Sequence, residues 1–261
     1  MNLFRMVLFC LSFITASQSI ATAHSLGADV KIEQIGPSLA HPWGISLIDN
    51  KTALITLRDG VLIRMNLDTG NVTQIANVPA VFARRQGGLL DVLTHKDTSG
   101  LLSAYICYSK PVNGGAVTAL DRAEVQKDSL INRHTLFQAN DVSVRAVHFG
   151  CRIAIHNNYL YLSIGDRGQR DNAQNFASHA GAVVRLNLDG LIPENNPVFP
   201  NGAPGLFTKG HRNPQGMAIH PLTGDVWINE HGPKGGDEIN ILQTGANYGW
   251  PLASFGKEYF C

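Results

Sequence analysis

Apolar and polar residues alternate along most of the chain in short segments separated by Asp-Gly or Thr-Gly pairs. The pattern is clearest in GISLIDNKTALITLRDGVLIRMNLDTGNV, which begins at Gly44, and it returns in RIAIHNNYLYLSIGDRG and GMAIHPLTGDVWINEHG. A period of two residues with such punctuation predicts antiparallel strands joined by hairpins, and almost nothing has the pattern of a long helix. The sequence therefore predicts an all-β protein.

The turn phrases repeat along the chain. RMNLDTG and RLNLDG are the same unit about 120 residues apart, and the segments that begin at Gly44, Arg152 and Gly216 resemble one another. Repeated units of roughly 40 to 50 residues favour a β-propeller over a sandwich. About four units fit between His41 and the end, where SFGKEYFC offers no segment to close the ring. We therefore expect an incomplete propeller.

The first residues, MNLFRMVLFCLSFITASQSIATA, combine an early Arg, an apolar run and a small-residue end. This pattern is typical of a signal peptide, and the apolar run is too short to span a bilayer comfortably. We therefore expect a signal peptide at 1–23, a propeller domain at 24–261, and a periplasmic or secreted protein without stable membrane insertion. An uncleaved anchor is the alternative.

Removal of that peptide would take Cys10 away and leave Cys107, Cys151 and Cys261. In an oxidising compartment one pair could form and leave a free thiol, but the spacings match no zinc or CxxC pattern. Because buried free thiols are also common, the sequence assigns no function to any cysteine.

The charges are balanced, with 21 basic and 20 acidic residues and a net charge of +1. Such a chain has no field that would recruit nucleic acid or an anionic membrane, so a small neutral partner fits better. Charge is instead concentrated in the segments GDRGQRDNAQ, KGHRNPQG and NEHGPKGGDEIN. In a propeller such loops gather around the axis at one end and can converge on a ligand, although solvated turns are the alternative.

The segment NEHGPKGGDEIN, from Asn229 to Asn240, is neither a Walker loop, an HExxH zinc helix nor an EF-hand. Its glycines let main-chain carbonyls face a ligand, and carbonyls with carboxylates are the ligand set of a hard cation such as calcium. The alternative is that Asp237 and Glu238 pair with a neighbouring Arg or cap a turn.

Two further segments carry candidate chemistry. Arg212, beside Asn213 in KGHRNPQG, has the planar fork that binds an acidic cofactor, but a surface ion pair would look the same. His148 in RAVHFGCR could act as a general base toward a hydroxyl, with Asp166 or Asp171 nearby. A structural His is the alternative.

Several phrases, taken in order, carry a family resemblance: RRQGGLLDV, HFGCR, SIGDRGQRDNAQ, HAGAVVRLNLDGLIPENNP, GHRNPQGMAIHP and EHGPKGGDEINILQTGANYGWP. Together they closely resemble the soluble quinoprotein sugar dehydrogenases, which are aldose or glucose/sorbosone dehydrogenases that use pyrroloquinoline quinone (PQQ). The resemblance runs from about His41 to Tyr259. It implies a six-bladed β-propeller that binds PQQ and calcium and passes electrons from an aldose to an external acceptor.

The resemblance also implies roles for individual residues. In that family the anomeric hydroxyl of the aldose is oxidised to a lactone by hydride transfer to calcium-bound PQQ, and His148 matches the general base. The remaining matches are Gln86, Arg212, Asn213 and Tyr259 with the quinone, Asp166 with the sugar, Gly232 and Pro233 (through their carbonyls) with the calcium against PQQ, and Glu238 with Tyr248 at a further calcium site.

The chain also departs from the family pattern. Cys151 replaces the second Gly of HFGGR, which could narrow the sugar pocket or could place a harmless side chain facing outward. The family continues for roughly two more blades that add cationic contacts to PQQ. Two other functions therefore stay open, namely a non-catalytic fragment or binding module and a calcium-dependent sugar lactonase.

Overall fold

A computed structural model describes residues 31–257 and Tyr259 of the chain. The expected signal peptide, Cys10 and Cys261 lie outside the described residues. Residues 31–35 belong to a first unit and have no regular structure, and the described strands all belong to the unit that starts at Gly36.

The second unit contains four antiparallel sheets, which we call blades 1 to 4. Blade 1 comprises β1 (Pro42–Asp49), β2 (Thr52–Leu57), β3 (Val61–Asn66) and β4 (Val72–Ile75). Blade 2 comprises β5 (Leu89–Lys96), β6 (Leu102–Val112), β7 (Gly115–Gln126) and β8 (Ser129–Gln138). Blade 3 comprises β9 (Ile153–His156), β10 (Tyr159–Ile164), β11 (Ala182–Asn187) and β12 (Leu206–Lys209). Blade 4 comprises β13 (Pro214–Ile219), β14 (Val226–Glu230) and β15 (Glu238–Ile241), and a 3-10 helix spans Arg170–Gln174.

Within every blade the strands pair in chain order, as in a meander. The repeated phrases occupy equivalent places in these meanders. RMNLDTG closes β3 and RLNLDG closes β11, each being the third strand of its blade, and Gly70 and Gly190 donate their main-chain N–H back to Asn66 and Asn187. The three similar segments at Gly44, Arg152 and Gly216 contribute the first strands of blades 1, 3 and 4. The predicted all-β repeat is confirmed.

Apolar side chains fill the spaces between successive blades. One core joins blades 1 and 2 through Leu54, Leu62, Leu89 and Ile106, and a larger one joins blades 2 and 3 through residues such as Leu120 and Leu162. A smaller cluster joins blades 3 and 4. Because each core needs two blades, the blades stack side by side, and the segments that connect them are held at defined positions.

Apolar residues are exposed where a blade has no described neighbour. Ile45 and Leu47 on β1 are 61% and 59% exposed, and Ile239 and Ile241 on β15 are 71% and 42% exposed. Within the described part of the chain no helix is long and apolar enough to cross a membrane.

Candidate active site

The residues that the resemblance selects lie in the connections between strands. Gln86 precedes β5, His148 precedes β9, and Arg212 with Asn213 links β12 to β13. Asp166 follows β10, and the β14–β15 connection carries Gly232 and Pro233. Hydrogen bonds described below join these connections one to the next, so segments that are far apart in the chain meet at one end of the blades.

His148 forms a pair with Asp166. Its Nδ1 lies 2.7 Å from Asp166 Oδ1, and the side chains are 15% and 2% exposed. The main-chain N–H of His148 donates to Gln86 Oε1 at 2.7 Å. Because a carboxylate can only accept, Nδ1 is the protonated nitrogen, and in the neutral imidazole Nε2 carries the lone pair that a general base requires.

A buried cation supports the loop that carries His148. The Arg167 guanidinium, in a residue only 1% exposed, donates to the carbonyls of Arg145 and Val147 at 2.9 Å each and lies over the Phe149 ring. Burial lowers the pKa of Arg167 to about 10, a value at which it stays charged at neutral pH. Since two carbonyls of the loop bind this one group, Arg167 fixes the main chain on which His148 sits.

Arg212 is held by the blade 4 strand β14. Its main-chain N–H donates to Glu230 Oε2 at 2.6 Å, while its Nη1 donates to the carbonyl of His231 at 3.0 Å. Glu230 also binds His211 Nδ1 at 2.9 Å. Burial alone raises the pKa of Glu230, but the charge of His211 and the hydrogen bonds reverse this effect and leave the pKa below its ordinary value.

The guanidinium of Arg212 fits an acidic ligand. The residue is 9% exposed, and among the described residues its guanidinium forms no ion pair with a carboxylate. A largely buried cation without a counter-charge favours binding of an anion. Asn213, the next residue, is 2% exposed, and its Oδ1 accepts a hydrogen bond at 3.2 Å from the main-chain N–H of Gly150 in the loop that carries His148.

The β14–β15 connection concentrates main-chain oxygens. A Cβ on Gly232 would collide with the carbonyl oxygens of Gly235 and Gly236, so this bare position faces two oxygen atoms. The Pro233 carbonyl accepts a hydrogen bond from the Tyr259 hydroxyl at 2.7 Å. Such a donor set fits a hard cation bound by main-chain carbonyls, whereas no cluster of three or more His, Cys, Asp or Glu ligands occurs in the described part of the chain.

Glu238 and Tyr248, the residues predicted for a further calcium site, line cavities beside Arg212 and Gly232. Arg212, Gly232 and Glu238 line one small cavity, and Glu238 and Tyr248 line a neighbouring groove. The Tyr248 hydroxyl donates to the Ile241 carbonyl at 2.6 Å and accepts from Gln243 N–H at 2.9 Å.

A family model described as glucose/sorbosone dehydrogenase matches residues 39–260. The chain belongs to the glucose/sorbosone dehydrogenase family. The aldose sugar dehydrogenase YliI of Escherichia coli (strain K12) is 39% identical over 239 residues, which are 89% of this chain and 64% of that protein. The apo-form crystal structure of the soluble aldose sugar dehydrogenase from Escherichia coli has a TM-score of 0.83 at 38% identity and is matched over 87% of this chain and 67% of that one.

A second solved structure is a PQQ-bound form. The aldose sugar dehydrogenase from Streptomyces coelicolor, in its PQQ-bound form, has a TM-score of 0.77 at 26% identity and is matched over 85% of this chain and 66% of that one. These likenesses confirm the predicted glucose dehydrogenase type of propeller, of which the described residues form four blades. The chain spans about 64% of the length of the Escherichia coli relative.

Cys151, where the family pattern has Gly, does not face outward. It is fully buried and forms a disulfide with Cys107 on β6, with the two Cα atoms 5.6 Å apart. The expectation of a harmless side chain facing outward is therefore wrong. Its φ of +74° explains why glycine suits this position.

The sequence pattern did not single out several residues that shape the site. Arg167, Lys209 and Glu230 are charged, and charged residues in loop-rich segments usually lie at the surface, yet all three are buried. Trp250 belongs to the phrase GANYGWP, which contributed to the resemblance without a role for that residue. Its indole N–H donates to Asp166 Oδ2 at 2.8 Å.

Proposed function

We propose that this chain carries the catalytic end of a PQQ-dependent aldose dehydrogenase, which oxidises the anomeric hydroxyl of a sugar to the lactone. The observation that carries the proposal is the His148–Asp166 pair at 2.7 Å. The main-chain N–H of His148 binds Gln86 Oε1, and that of Asp166 binds the Arg212 carbonyl at 2.8 Å. Membership in the glucose/sorbosone dehydrogenase family and the likeness to a PQQ-bound aldose sugar dehydrogenase support it.

Three sets of residues would hold the cofactors. Arg212 and Asn213, with Gln86 and Tyr259 beside them, would bind the acidic quinone, and the carbonyls of Gly232 and Pro233 would bind calcium. Glu238 and Tyr248 would contribute to a further calcium site. When bound, PQQ would supply a hydride acceptor and calcium would supply a Lewis acid beside it.

The reaction then depends on what the chain does for the sugar. His148 would take the proton of the anomeric hydroxyl on Nε2, while Nδ1–H stays bound to Asp166 and stabilises the imidazolium that forms. Asp166 is 1% exposed and both of its oxygens are bound within the protein, so it would act on the sugar through His148. Arg212 would stabilise negative charge that develops on the cofactor.

The rest of the proposal concerns the electron acceptor and the location of the protein. The hydride and proton leave the sugar as a two-electron oxidation, so the reduced cofactor needs an external electron acceptor. An expected signal peptide at 1–23 would direct the protein to the periplasm or the exterior. No nucleic acid or stable membrane insertion is expected as part of the function.

Titration with the cofactors tests the proposal directly. Purified protein is mixed with calcium and PQQ, the absorption spectrum of the quinone is followed, and a redox dye is added with glucose or another aldose. A shifted quinone spectrum and sugar-dependent dye reduction are expected. Absence of a shift would favour a non-catalytic binding module, and hydrolysis of a sugar lactone with calcium alone would favour a lactonase.

A further inference from the structure

Trp250 lies behind the pair formed by His148 and Asp166. Its indole Nε1–H donates to Asp166 Oδ2 at 2.8 Å, although the two residues are 84 positions apart, and only 8% of Trp250 is exposed. The contact joins the segment after blade 4 to the loop that follows β10 in blade 3.

The hydrogen bond from Trp250 restricts the rotation of the Asp166 carboxylate. Oδ1 accepts from His148 Nδ1 and from the main-chain N–H of Gly168, each at 2.7 Å, so Oδ2 is the oxygen that remains for the indole. Rotation of the carboxylate would break these bonds together in a buried setting, where an unsatisfied polar group is costly. The indole donor therefore helps to keep Oδ1 facing the imidazole.

The ring of Trp250 is itself held in place. Its main-chain N–H donates to the Gly210 carbonyl at 3.0 Å, and its own carbonyl accepts from Gln174 Nε2 at 2.5 Å. The guanidinium groups of Arg170 and Arg212 lie over the ring, 5.0 and 5.5 Å from its centroid. Contacts of this kind restrict an aromatic side chain, so the donor is presented to Asp166 from a rigid position.

We propose that Trp250 is a positioning residue for the general base. Through Asp166 it holds His148 in the tautomer with the proton on Nδ1 and the lone pair on Nε2. This inference rests on the proposed function in one respect, namely that His148 is the base. A buried tryptophan could instead serve only to fill space, and the two roles differ in whether the N–H donor matters.

The imidazole tautomer distinguishes these roles. Ring ¹⁵N chemical shifts of His148 are measured at about pH 8.5, roughly two units above the ordinary imidazole value. The unchanged protein should show the single Nδ1–H tautomer, whereas Trp250→Phe should show a mixture of both tautomers. Asp166→Asn should also lose the single tautomer, and Trp227→Phe, which changes a tryptophan stacked on His220 elsewhere, should keep it.

A second measurement covers the case in which Trp250→Phe does not fold. All three tryptophans are replaced biosynthetically by an analogue with sulfur in place of the ring N–H, which preserves the shape of the ring. Fluorotryptophan, which keeps the N–H, is the matched control. Mixed tautomers with the sulfur analogue alone support the inference, and a single Nδ1–H tautomer without any indole donor overturns it.

The tautomer is read without quinone or sugar, so its outcome is separate from that of the proposed function. A protein that fails to oxidise sugars can still show control of the tautomer by Trp250. Conversely, full turnover by a protein whose tautomer ignores the indole donor would overturn only the role of Trp250. In the reconstituted enzyme we expect Trp250→Phe to lower kcat while the KM for the sugar stays unchanged.

Discussion

Cys107 on β6 and Cys151 in the loop that carries the proposed base are joined by a disulfide. The bond connects blade 2 to the start of blade 3 and lies three residues after His148. Both sulfur-bearing residues are fully buried, which places the link inside the core between these blades. The disulfide joins residues 44 positions apart, so it lowers the conformational entropy of the unfolded chain. In the folded protein it also restricts the loop that carries His148.

Removal of the disulfide should destabilise the protein. Loop-closure entropy predicts a loss of about 4 kcal/mol in the free energy of unfolding for Cys107→Ala with Cys151→Gly, measured by urea denaturation. Replacing Cys151 by Ala instead of Gly in the same background should cost roughly 1 kcal/mol more, because the residue has a φ of +74°. Equal stability of the Ala and Gly versions would contradict the argument from backbone conformation.

The strands and their repetition could be predicted because the signal is local. The two-residue period and the turn phrases that end β3 and β11 depend on neighbours in the sequence, and they fell at equivalent places in blades 1 and 3. The number of blade-like units followed from the same repeats. By contrast, three cysteines without a diagnostic spacing do not specify which of them pair.

The buried charges could not be predicted for a different reason. In the sequence, Lys209 and Arg167 are indistinguishable from exposed loop cations. They are buried because the connection between β10 and β11 packs against the rest of blade 3. The resemblance indicated His148 and Asp166, but their separation of 2.7 Å depends on Gly168 and Trp250 as well. Long-range placement of this kind is not encoded in any short segment.

Replacement of the proposed base should affect turnover more than cofactor binding. In protein reconstituted with calcium and saturating PQQ, His148→Ala should lower kcat by about 10²- to 10⁴-fold, the usual contribution of general-base assistance. The affinity for PQQ, measured from the quinone spectrum, should change little. His134→Ala alters an exposed histidine on β8 and should leave both quantities unchanged. Near-normal activity of His148→Ala would rule out the role.

Gly232, in the loop that we propose binds calcium, offers a test without turnover. Gly232→Ala should weaken calcium binding measured by titration calorimetry, because the added Cβ would collide with the carbonyl oxygens of Gly235 and Gly236. Lys234→Ala, in the same loop but exposed, is the matched control and should bind calcium as the unchanged protein does. If both variants bind calcium equally well, the carbonyls of this loop are not the ligands.

Lys209 should be important for stability although it takes no part in the proposed reaction. Its Nζ donates to the carbonyls of Asn172, Ser178 and Ala180 at 3.0, 3.0 and 2.7 Å, and burial lowers its pKa to about 8. Lys209→Met would remove the described donor of the Ser178 and Ala180 carbonyls, whereas the Asn172 carbonyl would keep the N–H of Asn175. The change should cost roughly 2 to 4 kcal/mol in the free energy of unfolding. Lys96→Met, at an exposed position on β5, should stay within about 0.5 kcal/mol.

Asp91 gives the fold a measurable dependence on pH. It binds Arg152 Nη1 at 2.8 Å and the N–H of Ile153 at 2.9 Å, but burial outweighs these contacts and raises the pKa of Asp91 from 3.8 to about 6. Between these two values the folded protein holds a proton that the unfolded chain has lost. The contribution of Asp91 to stability is therefore present below about pH 4 and is lost as the pH rises to about 6.

Asparagine at this position resembles the protonated acid and removes the titration. The free energy of unfolding of the unchanged protein, relative to Asp91→Asn, should fall by up to about 3 kcal/mol between pH 4 and pH 7. Asp97→Asn is the control, because a hydrogen bond from Ser99 lowers the pKa of that exposed carboxyl below its ordinary value of 3.8. This carboxyl titrates below the tested range, so the difference for Asp97→Asn should change little between pH 4 and pH 7. Urea denaturation at both pH values measures the two differences. A difference for Asp91→Asn that does not change with pH would mean that Arg152 and the N–H donors keep Asp91 ionised throughout, so that the link between blades 2 and 3 is an ion pair at every pH tested.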